Sequence, residues 1–108
     1  MAVCVIIRRS VKDKKIADKL VPLILKLRTK AIVQPGYITA QTFSSLAVEG
    51  EYLIISTWNK IEDWNRWMNN EERLAIQKKI DELIGEKTQY QYYEPVIGGI
   101  MPRFEGKI

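Results

Sequence analysis

Two short stretches of this chain, residues 3–7 and the 52–55 part of 52–58, are apolar at consecutive positions, and both strands are rich in β-branched residues. A strand that alternates buries one face, whereas a strand apolar at neighbouring positions has to be covered on both. Two further extended stretches, 37 to about 46 and 87–94, carry the polar residues, among them Thr39, Gln41, Thr42, Ser44 and Ser45. In one sheet, the first pair therefore takes the centre and the second pair the edges.

What separates these strands is helical. Ile16, Leu20, Leu23, Ile24, Leu27 and Ala31 recur at three- and four-residue spacing from about position 13 to 32, and Pro35-Gly36 closes the unit with a turn. Pro22 lies inside this pattern and is expected to kink or break it, because it lacks an N–H and crowds the carbonyl four residues back. A second helix is expected to start at Asn59, as N-cap, with Glu62 completing a variant capping box. Asn69-Asn70 ends it. A third helix follows from Glu71-Glu72, carries Ile76, Ile80, Leu83 and Ile84 on one stripe, and stops at Gly85.

The order is βαββαβ with the second helical unit split. Right-handed crossovers turn that order into a ferredoxin-like α+β fold, an antiparallel sheet in the order 4-1-3-2. Helices cover only one face of such a sheet. The other face of the two central strands needs a second subunit, so a homodimer formed by sheet-on-sheet packing is expected.

A chain of 108 residues makes one domain, placed at 1–95. Positions 96–108 read as an irregular tail whose Val96, Ile97, Ile100, Met101 and Phe104 are expected to dock on the partner subunit. The net charge of +4 comes from 17 basic and 13 acidic residues spread along the chain. The dense basic runs, Arg8-Arg9 and Lys12 to Lys15, read as a solvated helix start rather than a nucleic-acid stripe. Cys4 stands alone among apolar neighbours, which excludes an intrachain disulfide and fits a structural thiol. With no signal-peptide pattern and no apolar run of membrane-spanning length, a cytoplasmic location is expected.

Four stretches resemble one known family: Ile7-Arg8-Arg9, Gln34-Pro35-Gly36-Tyr37-Ile38, Ile55-Ser56-Thr57-Trp58 with the following Trp64/Trp67 helix, and Thr88-Gln89-Tyr90-Gln91-Tyr92-Tyr93. In this order and spacing they are similar to the antibiotic biosynthesis monooxygenases, small dimeric α/β-barrel proteins. The resemblance implies a pocket between helices and sheet, and oxidation of phenols or quinols by oxygen without metal or flavin. A bound phenolate or carbanion gives an electron to oxygen, while the protein binds the flat ring and hydrogen-bonds the oxyanion. Haem-degrading relatives hold iron with a histidine at the position of Gln77 and use an asparagine near the position of Ile7. This chain has no histidine, and a neutral amide does not replace imidazole on haem iron. Haem degradation is therefore disfavoured.

The candidate pocket residues are Trp58, Trp67, Gln77, Asn59 and Tyr92. Trp58, at the end of the third strand, is either a ligand wall or a core aromatic, and the two roles are compatible. Trp64 and Trp67, one helical turn apart, fit core packing better than a substrate cage. Gln77 lies beside the Ile76/Ile80/Ile84 stripe and reads as a pocket dipole or a boundary glutamine. Asn59 is explained by capping, and Tyr92 by strand propensity, as well as by function. Asp63 and Glu94 are conceivable bases without an apolar setting to tune them. The chain shows no metal-ligand spacing, phosphate loop or nucleophile triad, so neither metal nor cofactor is expected. The resulting expectation is a cofactor-independent monooxygenase acting on a small aromatic or quinol compound. A non-catalytic dimeric binding or stress-response module is the alternative.

Overall fold

The computed structural model describes residues 2–99. The elements are β1 (Val3–Ser10), α1 (Lys14–Ala31), β2 (Tyr37–Ser44), β3 (Glu51–Trp58), α2 (Ile61–Met68), α3 (Glu71–Ile84) and β4 (Gln89–Tyr93), with a 3-10 turn at Ile97–Gly99. The strands form one antiparallel sheet in the order β2-β3-β1-β4, the ferredoxin-like α+β arrangement predicted from the element order. The expected docking of Ile100, Met101 and Phe104 lies outside the described residues.

β1 runs further than its apolar stretch. Arg8, Arg9 and Ser10 continue the ladder opposite Leu53, Tyr52 and Glu51, and Arg8 reaches Glu51 at 3.1 Å. The basic pair is thus strand rather than solvated helix start, and Arg9 is only 5% exposed. Pairing with β3 decides the strand's length here, overriding the local charge.

The period of two sorts the sheet's side chains. Val5, Ile7 and Arg9 share one face with Ser56, Ile54 and Tyr52 of β3 and with Tyr92 and Tyr90 of β4. That face lies under the helices. Val5, Trp58, Trp64 and Trp67 form one buried cluster there, and Leu20, Ile76, Ile80 and Ile84 form a second between α1 and α3. On the opposite face Cys4, Ile6, Leu53 and Ile55 are only half buried, while Phe43 and Tyr93 beside them are 45% and 54% exposed.

α1 begins at the N-cap Asp13, whose carboxylate accepts from the Ile16 amide at 2.9 Å, and it passes through Pro22 without a break. Pro22 and Asp18 are both exposed. The carbonyl that loses its donor therefore faces water, which explains the tolerated proline.

The start of α2 differs from expectation. Its N-cap is Lys60, which gives no side-chain cap, and the Asn59 amide instead donates to the Gly36 carbonyl at 2.7 Å. A tertiary bond to the α1–β2 turn has displaced the local capping box. α3 starts on Asn70, whose side chain accepts from the Arg73 amide at 3.1 Å, and ends at the left-handed Gly85. Lys30 of α1 pairs with Glu72 of α3. The hydrogen bond from Lys30, and then its charge, hold the Glu72 carboxyl below the ordinary glutamate range. No described helix is long and apolar enough to cross a membrane.

Candidate functional site

A cavity of about 80 Å³ lies between α1, α2, α3 and the helical face of β1, β2 and β3. One wall is aromatic. Trp58 leaves the end of β3, and the edges of Tyr37 and Trp64 meet it at 5.6 and 5.7 Å between ring centroids. Its indole N–H donates to Ser56 at 2.6 Å, so this polar atom is satisfied inside the core. Trp67, one turn beyond Trp64 on α2, continues the wall.

The cavity is also cationic. Arg9 and Arg73 line it, 5% and 3% exposed, and exposed Arg28 of α1 stands at its edge, reaching the Ala40 carbonyl of β2 at 3.4 Å. Arg73 packs its guanidinium over the rings of Trp64 and Tyr90 at 5.5 and 5.4 Å. It also donates to the Met68 carbonyl at 3.1 Å and to the Tyr90 hydroxyl. Arg9 donates to Thr88 at 3.1 Å, Tyr52 at 3.3 Å and Gln77 at 3.1 Å. Among the described residues, neither buried arginine has a carboxylate partner within ion-pair distance, and no Asp or Glu lines the cavity. Burying a charge without a counter-charge is costly, and a dipole network offsets only part of that cost.

Gln77 is the hub of that network. It is buried, 7% exposed, rather than a boundary residue. Its amide nitrogen donates to Asp81 at 2.8 Å and to Thr88 at 2.7 Å, and the Thr88 hydroxyl donates to the same Asp81 oxygen at 2.8 Å. A carboxylate only accepts, so Asp81 fixes the amide with its oxygen toward Arg9. Gln77 therefore lines the cavity as the residue that orients Arg9, with its amide N–H groups turned away toward Asp81 and Thr88.

Of the candidates, Trp58, Trp67 and Gln77 meet in the cavity, and Trp64 joins them as both core and wall. Asn59 and Tyr92 do not line it. Asn59 is exposed, and Tyr92 stands behind Trp64, accepting from its indole at 3.4 Å and donating to the Met68 sulfur at 3.5 Å. Asp63 is buried at 6% exposure, but it packs beneath Gly36 and pairs with Arg66 at 3.2 Å, away from the cavity lining. Arg9 and Arg73 are the residues that sequence reasoning missed. The signal was present: Arg9 keeps the period of two from Val5 and Ile7, and Arg73 precedes Ile76 and Gln77 by helical spacing.

The family model for antibiotic biosynthesis monooxygenases matches residues 2–79. Among solved structures, the chain is similar to SnoaB, a cofactor-independent oxygenase from Streptomyces nogalater. The TM-score is 0.75 at 13% identity, over 88% of this chain and 93% of that one. It is also similar to a conserved protein from Methanosarcina mazei (TM-score 0.77, 15% identity, 86% and 91% covered). A third similar chain is a Mycobacterium tuberculosis protein (TM-score 0.75, 16% identity, 89% and 96% covered). At these identities the structural likeness shows the fold. No curated protein sequence matches the chain.

Proposed function

This chain belongs to the antibiotic biosynthesis monooxygenase family, and we propose that its cavity binds a small aromatic phenol, quinol or anthrone-type compound and oxidises it with molecular oxygen. The observation that carries the reading is one cavity lined by tryptophans and by buried guanidinium groups, with no carboxylate among its described lining residues. The indoles suit a flat ring, and the guanidiniums favour its deprotonated form by offering charge-assisted hydrogen bonds to the oxygen. With no histidine in the chain and no Asp or Glu among the described lining residues, the acidity of the substrate, enhanced by these cations, supplies the anion.

For an anthrone-type methylene the chemistry balances without another reductant. The carbanion gives one electron to oxygen, and the radical pair combines to a peroxide anion, which takes back the proton lost from the methylene to become a hydroperoxide. Loss of water then leaves a carbonyl, with one oxygen atom in the product and the other in water. Ligand cavities ordinarily measure roughly 300–1,000 Å³, so the space of about 80 Å³ has to widen on binding. Arg28, Ile32 and Thr42 are exposed on its lining, so the cavity can widen at that edge once Arg28 gives up the Ala40 carbonyl.

Oxygen-electrode measurements with a panel of quinols and anthrones, with mass spectrometry after labelled-oxygen incubation, are expected to show uptake and one labelled atom in the product. A panel giving neither uptake nor binding would sink the reading. The small cavity favours a second reading, a binding module without turnover; binding with no oxygen uptake would establish it.

The helix-free face of the sheet supports a homodimer. Half-buried Ile6, Leu53 and Ile55 with exposed Phe43 and Tyr93 form an apolar surface on the two central strands and both edges. Sheet-on-sheet packing would bury it. Light scattering is expected to give twice the chain mass for the parent protein and a monomer for Ile55→Glu. A monomeric parent would refute the dimer, and a dimeric Ile55→Glu would place the contact elsewhere.

A further inference from the structure

The charge on the cavity exceeds what one phenolate requires. Arg9, Arg73 and, at the edge, Arg28 line it, with no Asp or Glu among the described lining residues. A phenolate or enolate carries a single negative charge, so at least one buried guanidinium is left uncompensated when it binds. Each guanidinium also keeps donors beyond the bonds it makes within the protein.

Placement matters as much as number. Arg73 and Gln77 are four residues apart on α3 and therefore neighbours on one helix face. Arg9 is held against Gln77 at 3.1 Å, and both arginines line the same cavity. Asp81 sets this arrangement through Gln77 and Thr88 without lining the cavity itself. Its negative charge stabilises the buried cation from a distance and leaves the cavity side open to an external anion. Planar, forked guanidiniums fit a carboxylate better than a single-point acceptor.

From this we propose that the ligand is an aromatic ring bearing a carboxylate: Arg9 and Arg73 bind the acid group, and the Trp58/Trp64/Trp67 wall holds the ring. Gln77 is a positioning residue for Arg9. The inference rests on the reading of the cavity as the substrate site, and it adds the ligand's charge to that reading.

Calorimetry and tryptophan fluorescence on the full chain with three probes test it: gentisic acid, its carboxamide and hydroquinone. The carboxylate is expected to bind at least about tenfold more tightly than the isosteric amide, as a charge-assisted pair should. That preference is expected to vanish in Arg9→Met or Arg73→Met, to persist in part in Arg9→Lys, and to shrink in Gln77→Leu. Each variant is checked for an unchanged circular dichroism spectrum. Equal binding of acid and amide by the unaltered protein overturns the proposal whatever the variants do, and so does failure of the acid to bind at millimolar concentration. A preference unchanged in both methionine variants overturns it as well.

The two readings fail separately. Oxygen uptake with hydroquinone and no preference for the acid removes the carboxylate site and leaves the oxygenase. A strong preference with no oxygen uptake from any quinol or anthrone does the reverse.

Discussion

Trp58→Ala is expected to cost about 3–5 kcal/mol of folding stability, the range for emptying a large aromatic from a packed core. Trp58 is 0% exposed and touches Tyr37 and Trp64 edge-on, and its cluster joins β1, β3 and α2. Single domains hold only about 5–15 kcal/mol in all, so the variant is expected to melt well below the parent and to populate unfolded chain. Urea denaturation at fixed protein concentration measures the loss; a midpoint equal to the parent's would show that this tryptophan is not structural. Trp58→Ala is consequently a poor probe of turnover, because lost activity and lost fold coincide. Trp58→Phe keeps a ring in place, and the ligand assays belong on it.

Gly36→Ala is the second large effect, expected at about 2–4 kcal/mol. Gly36 sits at φ +86°, where an L residue costs about 1–2 kcal/mol. A Cβ there would also run into the side chain of Asp63. That side chain cannot simply move aside: it is buried and bonded to Arg66 at 3.2 Å. The Gly36 carbonyl also accepts from Asn59 at 2.7 Å, so a shifted turn loosens the start of α2 and the seat of Tyr37 against Trp58. Gly85→Ala is the control, since Gly85 has φ +86° as well but open space around its missing Cβ. If thermal melts show Gly36→Ala no more damaging than Gly85→Ala, the collision with Asp63 has no energetic weight.

These two positions show how far the chain could be read before folding. Gly36 was legible as a turn, because Pro-Gly after a helix needs no tertiary information. That its neighbour would be Asp63 was not legible, since the contact spans two elements. Asn59 illustrates the same limit. Its residue type and the glutamate three positions later describe a capping box, yet the amide bonds to Gly36 and Lys60 takes the cap. Local chemistry offered one partner, and packing supplied another. Pro22 erred in the opposite direction: the break it threatens is averted because the affected turn faces water.

The site divides in the same way. Trp58, Trp67 and Gln77 were identified as pocket residues, and all three line the cavity. Gln77 was read for its own amide, whereas the structure commits that amide to Asp81, Thr88 and Arg9. From sequence Arg9 reads as solvated charge and Arg73 carries no signal of its own, because charge in a sequence is ordinarily charge in water.

Element order, strand centrality and the dominant period of each segment were determined by the sequence alone, since they follow from side-chain periodicity and backbone sterics, which act over a few residues. The family could be recognised on the same basis, from motifs kept in order. Only the tertiary structure decided which polar groups are buried and what they face. A guanidinium changes from a solvated charge to a buried group lining a cavity when β1 continues its ladder through Arg9, and its meaning depends on partners far away in sequence. Arg9 and Thr88 are separated by 79 positions and meet at 3.1 Å.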